Sequence, residues 1–211
     1  MKKNLLMLVA VFGFVACATG PPPGTPTAAG PNPAPPGATW VMAERNSGSY
    51  GASSKQYTTR FLGEQEWAGQ KARAFDDGST TLYVIPATGE WIARARGASV
   101  VESWNPPVGY DWPLFVGKSW LRTFRYSDGQ SGKSFDNVKA WYKVEAYEDV
   151  TVPAGTFKVF RVSSDTQGIR IVNWYSPDLG FSVKSTTERT SEFYLGQGRR
   201  DTELVSHDIK R

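Results

Sequence analysis

Polar and apolar side chains alternate strictly from Val138 to Tyr147. Val138, Ala140, Tyr142, Val144 and Ala146 fall on one face of an extended chain, and Lys139, Trp141, Lys143, Glu145 and Tyr147 on the other. A period of two marks a strand with one buried face, because successive side chains of a pleated strand point to opposite sides. Similar short runs of β-branched and aromatic residues recur after Thr39, interrupted every ~8–12 residues by turn formers, and no helical period is sustained. The pattern predicts an all-β domain over 39–211, an antiparallel curved sheet or half-barrel of about nine to eleven strands.

Turn chemistry supplies the joints. In Val152-Pro153-Ala154-Gly155-Thr156, proline presets one turn residue and glycine can take a positive φ, which predicts a hairpin between the alternating strand and Phe157–Ser163. Ser176-Pro177-Asp178-Leu179-Gly180 repeats that logic between Ile169–Tyr175 and Phe181–Thr187. Asp77-Gly78, Thr88-Gly89, Asp128-Gly129 and Gly196-Gln197-Gly198 mark further turns.

The start of the chain follows another rule. Lys2 and Lys3 precede an apolar stretch from Leu5 to Val15, which ends at Ala16-Cys17. A charged, then apolar, then small-residue segment reads as a secretory signal peptide over 1–16, and its apolar run is well short of the ~20 residues that cross a bilayer. Phe14-Val15-Ala16-Cys17 resembles the lipobox of bacterial lipoproteins, with Phe14 where that family usually has leucine. The resemblance implies that Cys17 receives a diacylglyceryl group and becomes the first residue of the mature chain. Cys17 is the only cysteine, so an internal disulfide has no second partner. With ~0.8 kcal/mol per buried methylene, two or three acyl chains hold a protein on a membrane essentially permanently. In lipoproteins of the enterobacterial type an aspartate after the cysteine resembles an inner-membrane retention signal. Ala18 stands there, which implies the outer membrane, facing the periplasm or the cell surface, with a Gram-positive surface as the alternative.

Residues 17–38 complete the exported preamble. Eight prolines stand between Pro21 and Pro36, and 18–38 holds no charged or aromatic side chain. Such a composition forms no core of its own, so the expectation is a tether that buries nothing and reaches at most about 65 Å in polyproline II.

Charge narrows the partners. The net charge of +4 includes Lys2 and Lys3, which leave with the leader. The remaining Lys and Arg are scattered among acids, and nucleic-acid binding, which needs a basic stripe, is not expected.

Candidate chemistry is sparse. His207 is the only histidine, which excludes a two-histidine metal site, and its alternating setting predicts a solvent-facing strand position. No Gly-x-Ser-x-Gly elbow, P-loop or Gly-x-Gly-x-x-Gly occurs. The carboxylate pairs Asp76-Asp77, Glu64 with Glu66 and Glu148-Asp149 lie at predicted turns or strand ends; they leave envelope-polymer hydrolysis as a minor reading. The expectation is a protein with no catalytic residue, no metal and no cofactor.

Eight tryptophans are the compositional excess. Trp104, Tyr110 and Trp112 lie in a stretch broken by Pro106 and Pro107, which is expected not to be a central strand. These three are the candidate ligand-binding residues, as a lid over an apolar cavity or as a contact loop. Trp141 and Tyr147, on the polar face of the alternating strand, are the alternative surface contact and would stack on a sugar ring.

Three phrases carry a second resemblance: Pro113-Leu114-Phe115-Val116-Gly117-Lys118-Ser119-Trp120, Val150-Thr151-Val152-Pro153-Ala154-Gly155-Thr156-Phe157 and Trp174-Tyr175-Ser176-Pro177-Asp178-Leu179-Gly180-Phe181-Ser182-Val183-Lys184. They resemble, in order, those of an uncharacterised family of bacterial envelope domains. The likeness implies a curved antiparallel sheet similar to the half-barrel of the LolA and LolB lipoprotein carriers, which hold acyl chains in an apolar concavity. Two functions follow as expectations. One is a non-catalytic module binding a hydrophobic or amphipathic ligand such as lipid; the other is an aromatic surface module contacting glycan, peptidoglycan or a protein partner. An enclosed apolar cavity beneath the aromatics separates the first from the second.

Overall fold

The computed structural model describes residues 20–209; the leader and Cys17 lie outside them. Among the described residues there are twelve strands and no helix. They are β1 (Thr39–Gly48), β2 (Ser53–Trp67), β3 (Gln70–Asp76), β4 (Thr81–Val84), β5 (Trp91–Arg96), β6 (Ser99–Val108), β7 (Ser119–Asp128), β8 (Lys133–Val152), β9 (Gly155–Thr166), β10 (Ile169–Ser176), β11 (Phe181–Arg189) and β12 (Gly198–Asp208). Each pairs antiparallel with the next, and β1 pairs with both β2 and β12, so the sheet closes into a barrel.

The expected half-barrel of nine to eleven strands is thereby corrected to a closed barrel of twelve. Closure rests on pairs such as Thr39↔Asp208 between the ends of the domain, and it removes the unpaired edges that an open sheet must protect. β4, with four residues, is too short to show a period.

The predicted joints are present. β8 and β9 meet through Pro153 and Ala154, with Val152 opposite Gly155 and Gly155 at φ +131°. The turn before β11 closes with Gly180 N–H donating to the Ser176 carbonyl at 2.8 Å. Asp77 caps its own turn, its Oδ1 accepting from the backbone N–H groups of Ser79 and Thr80 at 2.9 and 2.8 Å.

Alternation along β8 holds from Val138 to Val144 and then breaks. Val144 lies opposite Val162 but Ala146 opposite Arg161, a bulge that inserts one residue and exchanges the faces beyond it. Tyr147 therefore turns inward against Phe160, with ring centroids 4.7 Å apart, while Trp141 stays outside at 59% exposure. Their expected pairing on one polar face is corrected by that bulge.

The core covers both faces of β9. Val159 and Phe160 are adjacent and both fully buried, yet they belong to different clusters. Val159 packs with Trp40, Met42, Phe61, Val183 and Leu204, and Phe160 with Leu114, Val144, Val162 and Tyr175. β10 stops pairing at Tyr175↔Phe160, so the tip of the β8–β9 hairpin overhangs and folds against β12, where Ala154 N–H donates to the Leu204 carbonyl at 3.2 Å.

The proline-rich segment is part of this packing from Gly20 onward. Ala28, Ala34 and Ala38 are buried, Ala28 and Leu114 exchange backbone hydrogen bonds of 3.0 and 2.9 Å, and Gly37 N–H donates to the Phe61 carbonyl at 2.8 Å. Asn32 Nδ2 donates to the Pro177 carbonyl at 2.8 Å. The expectation that 18–38 buries nothing is corrected for its described part. Proline has no N–H to leave unpaired, so an extended strap can lie on a surface while only the intervening alanines and glycines need partners.

Candidate functional site

The aromatic stretch expected as a lid or a contact loop is split in two. Trp104 lies in β6, which continues through Pro106 and Pro107 and corrects the expectation of a non-strand segment. The prolines fit because the β5 ladder passes from Ala93↔Ser103 to Trp91↔Val108, leaving 104–107 bulged out of it, and the β7 ladder ends at Asn105. Trp104 packs with Val108, Phe124 and Ala140, and its ring meets those of Trp91 at 5.6 Å and Tyr126 at 6.0 Å.

Tyr110 and Trp112 join the other side of the core. Tyr110 makes edge contacts with Trp112, Trp120 and Tyr175 at 5.7, 6.4 and 5.5 Å, and Trp112 Nε1 donates to the Thr88 carbonyl at 2.8 Å. Burial pushes the Tyr110 phenol well above its ordinary value, against the lowering effect of hydrogen bonds with Ser182 and Asn173. These rings are locked into the packing. Two concavities among the described residues lie elsewhere, and both open to solvent.

The larger, of about 340 Å³, runs along the barrel between the β2–β3 hairpin and β6, lined by Trp67, Gln70, Ile92, Ser103, Trp104 and Asn105 among others. No charged side chain lines it. Its far wall comes from a two-residue turn in which Ala68 and Gly69 have φ of +49° and +80°, the left-handed pair of a type I′ hairpin. That turn sets Trp67 opposite Gln70, and the Trp67 ring stacks on Tyr83 at 4.0 Å. Trp91, 40% exposed, stands beside Trp104. Two indoles and a largely apolar lining, with the amide and hydroxyl groups of Gln70, Asn105 and Ser103, suit an uncharged ligand that carries both C–H faces and hydroxyls. Of these residues only Trp104 stood out in the sequence; the Trp-Ala-Gly-Gln hairpin was the available signal for Trp67.

The smaller concavity, of about 260 Å³, lies over β10–β12 and is lined by Arg170, Val172, Trp174, Thr186, Glu188 and Arg199. Its cations are already matched: Arg170 to Glu145 at 3.4 Å, and Arg199 to Asp201 at 2.7 Å and to Glu188. Trp174 Nε1 donates to Glu148 at 3.1 Å while Lys184 lies 5.5 Å over its ring. This surface satisfies itself and offers no free charge to a ligand.

Two further ionic clusters tie neighbouring parts of the sheet together. Buried Glu44 meets Lys55 and Arg200, each at 3.5 Å, and Arg94 bridges Asp77 at 3.2 Å and Glu102 at 3.3 Å. Burial, with the charges of Glu44 and Asp77, pushes the Tyr57 phenol up to about 12. Burial would raise the Asp77 carboxyl, but hydrogen bonds from Ser79 and Thr80 and the Arg94 charge outweigh it and hold it below the usual range. Asp77 thus has turn and bridge partners, and His207 sits exposed on β12. No group of three or more His, Cys, Asp or Glu among the described residues is placed to hold a metal ion.

The chain matches no family profile and no curated protein. Several solved structures are similar to it. A protein described as exported, with a YmcC-like fold, from Bacteroides fragilis aligns with a TM-score of 0.48 at 14% identity, over 85% of this chain and 99% of its own. A protein described as a lipoprotein from Parabacteroides distasonis gives 0.38 at 12% identity, over 83% and 97%. The hypothetical lipoprotein YmcC from Escherichia coli gives 0.40 at 13% identity, over 82% and 88%.

Proposed function

We propose that the chain is a lipid-anchored envelope protein, held by Cys17, that binds an uncharged glycan in the groove between Trp67 and Trp104 and performs no chemistry on it. The export signal and the lipobox resemblance support the location. The composition of the groove carries the ligand class: two indoles form its walls, Gln70, Ser103 and Asn105 supply hydrogen bonds, and no charge lines it. Indole faces bury the C–H faces of sugar rings, and the amides and hydroxyl pair with the hydroxyls that such rings bring into contact.

An acyl chain would use only part of this site: Gln70 and Asn105 are exposed along the open groove, and a hydrocarbon tail would leave their hydrogen-bonding groups to water. Of the three residues of the lipid reading, Trp104 lines this groove, while Tyr110 and Trp112 would have to leave their packed cluster to form a cavity with it.

Sedimentation of the non-lipidated chain with a neutral polysaccharide and with peptidoglycan sacculi tests the reading. Trp104→Ala should weaken retention by about 1–3 kcal/mol, the scale for losing an aromatic anchor, with the fold unchanged by circular dichroism. Retention indifferent to both Trp104→Ala and Trp67→Ala, or 1:1 binding of a lipid probe displaced by fatty acid, would overturn it.

A further inference from the structure

The outer face of β7 and β8 carries a second apolar feature, away from the groove. Trp141, 59% exposed, lies directly across the ladder from Leu121, 39% exposed. Lys143 and Lys139 flank Trp141 at the next outward positions of β8, opposite Ser119 and Thr123. No carboxylate pairs with either lysine among the described residues. The neighbouring outer surface behaves differently: Lys158, Arg161, Arg170, Lys184 and Arg199 are each bridged to an acid. An exposed Trp–Leu pair between two unmatched lysines, with Asp165 opposite Trp141 on β9 already met by Arg170 at 3.8 Å, has the composition of a membrane-interface contact, where indole sits at headgroup level and ammonium groups meet anionic phosphate.

The path of the strap bears on where this face lies. The described chain begins at Gly20, three residues after Cys17 in the sequence. The strap is then bonded at Ala28 to Leu114, in the loop that leads into β7. The strap therefore meets the barrel at the approach to β7, at a residue eleven positions after Cys17.

We infer that the Leu121–Trp141 face, with Lys139 and Lys143, rests on an anionic phospholipid surface and fixes the orientation of the barrel on its membrane. This inference rests on the lipid anchor at Cys17 and is independent of the glycan groove. A single tether leaves a domain free to tumble; a second contact of modest strength suffices to orient it, because the anchor keeps its local concentration high.

The lipidated mature protein provides its own test. Its only cysteine is taken up by the lipid, so Ser119→Cys introduces a single free thiol beside the patch, and Ser54→Cys, exposed on β2, places one away from it. Each is labelled with an environment-sensitive dye and reconstituted in vesicles of phosphatidylglycerol and phosphatidylcholine. Flotation reads the anchor, and dye emission reads the patch. The expected result is flotation of both, with blue-shifted emission from position 119 only. That shift should be lost on adding Trp141→Ala with Lys139→Gln and Lys143→Gln, and in pure phosphatidylcholine, while flotation persists. Flotation without a shift at 119, or a shift that survives the triple substitution, overturns the inference and leaves the anchor intact. Failure to float removes the anchor and the inference together. A Trp141→Ala variant that loses polysaccharide retention while the vesicle signal stays unchanged reassigns the patch to glycan.

Discussion

Tyr57, Tyr142 and Tyr194 are all held near 12, and burial is the first cause for each. A raised phenol contributes stability that is fully present below its unfolded value of 10 and is lost as pH rises through the folded one. Thermal melts should therefore fall steeply between pH 10 and about 12, with phenolate absorbance rising in the same window as unfolding. A melting temperature that stays level between pH 10 and about 12 would contradict this. Asp77 has the opposite sign: its lowered carboxyl contributes at neutral pH and loses that contribution as pH falls through its depressed value. Gly129 is limited by space. A Cβ there would lie 2.1 Å from the Val100 carbonyl oxygen, so Gly129→Ala should destabilise by about 1–3 kcal/mol, as a forced backbone shift does. Urea unfolding with an unchanged midpoint would show that the loop gives way freely. The sequence marks Asp128-Gly129 as a turn, but the nearness of Val100 depends on β6 lying alongside and has no local signature.

Element by element, the period of two in β8 was readable as far as Val144. The bulge beyond it was not, because an inserted residue leaves composition and hydrophobicity unchanged while exchanging every later face. Tyr147 was misplaced for that reason alone. The Pro106–Pro107 stretch misled in the other sense: proline excludes a continuous ladder but not a bulged one. The hairpin between β8 and β9, by contrast, was legible from Pro153 and Gly155. Gly155 at φ +131° has open space around its Cβ position, so a substitution there meets only backbone strain. Gly155→Val should cost about 1–2 kcal/mol, measured by chemical denaturation, and an unchanged stability would remove the turn assignment.

The architecture of the whole molecule depends on pairings between distant parts of the chain. Antiparallel all-β class could be read from local pattern, but closure through β1 and β12 could not, since each strand looks the same whether its outer edge is free or paired. The strap shows the same limit: alanine, proline and glycine report no core, yet Ala28, Ala34 and Ala38 are buried against the barrel. A chain starting at Thr39 should therefore melt about 5–10 °C below one starting at Gly20, the shift expected for losing roughly 2–3 kcal/mol in a domain of this size. Equal melting temperatures would show that the strap adds nothing to stability.

The groove was legible only in part, through Trp104, because its other wall depends on a hairpin that brings Trp67 across from β6. Titration of the non-lipidated chain with a neutral oligosaccharide, followed through the indole N–H signals of its eight tryptophans, tests the assignment most directly. The account predicts shifts confined to Trp67, Trp91 and Trp104. Shifts centred on Trp112 and Trp120, which lie in the packed cluster around Tyr110, or a spectrum that does not respond to any neutral glycan, would contradict it.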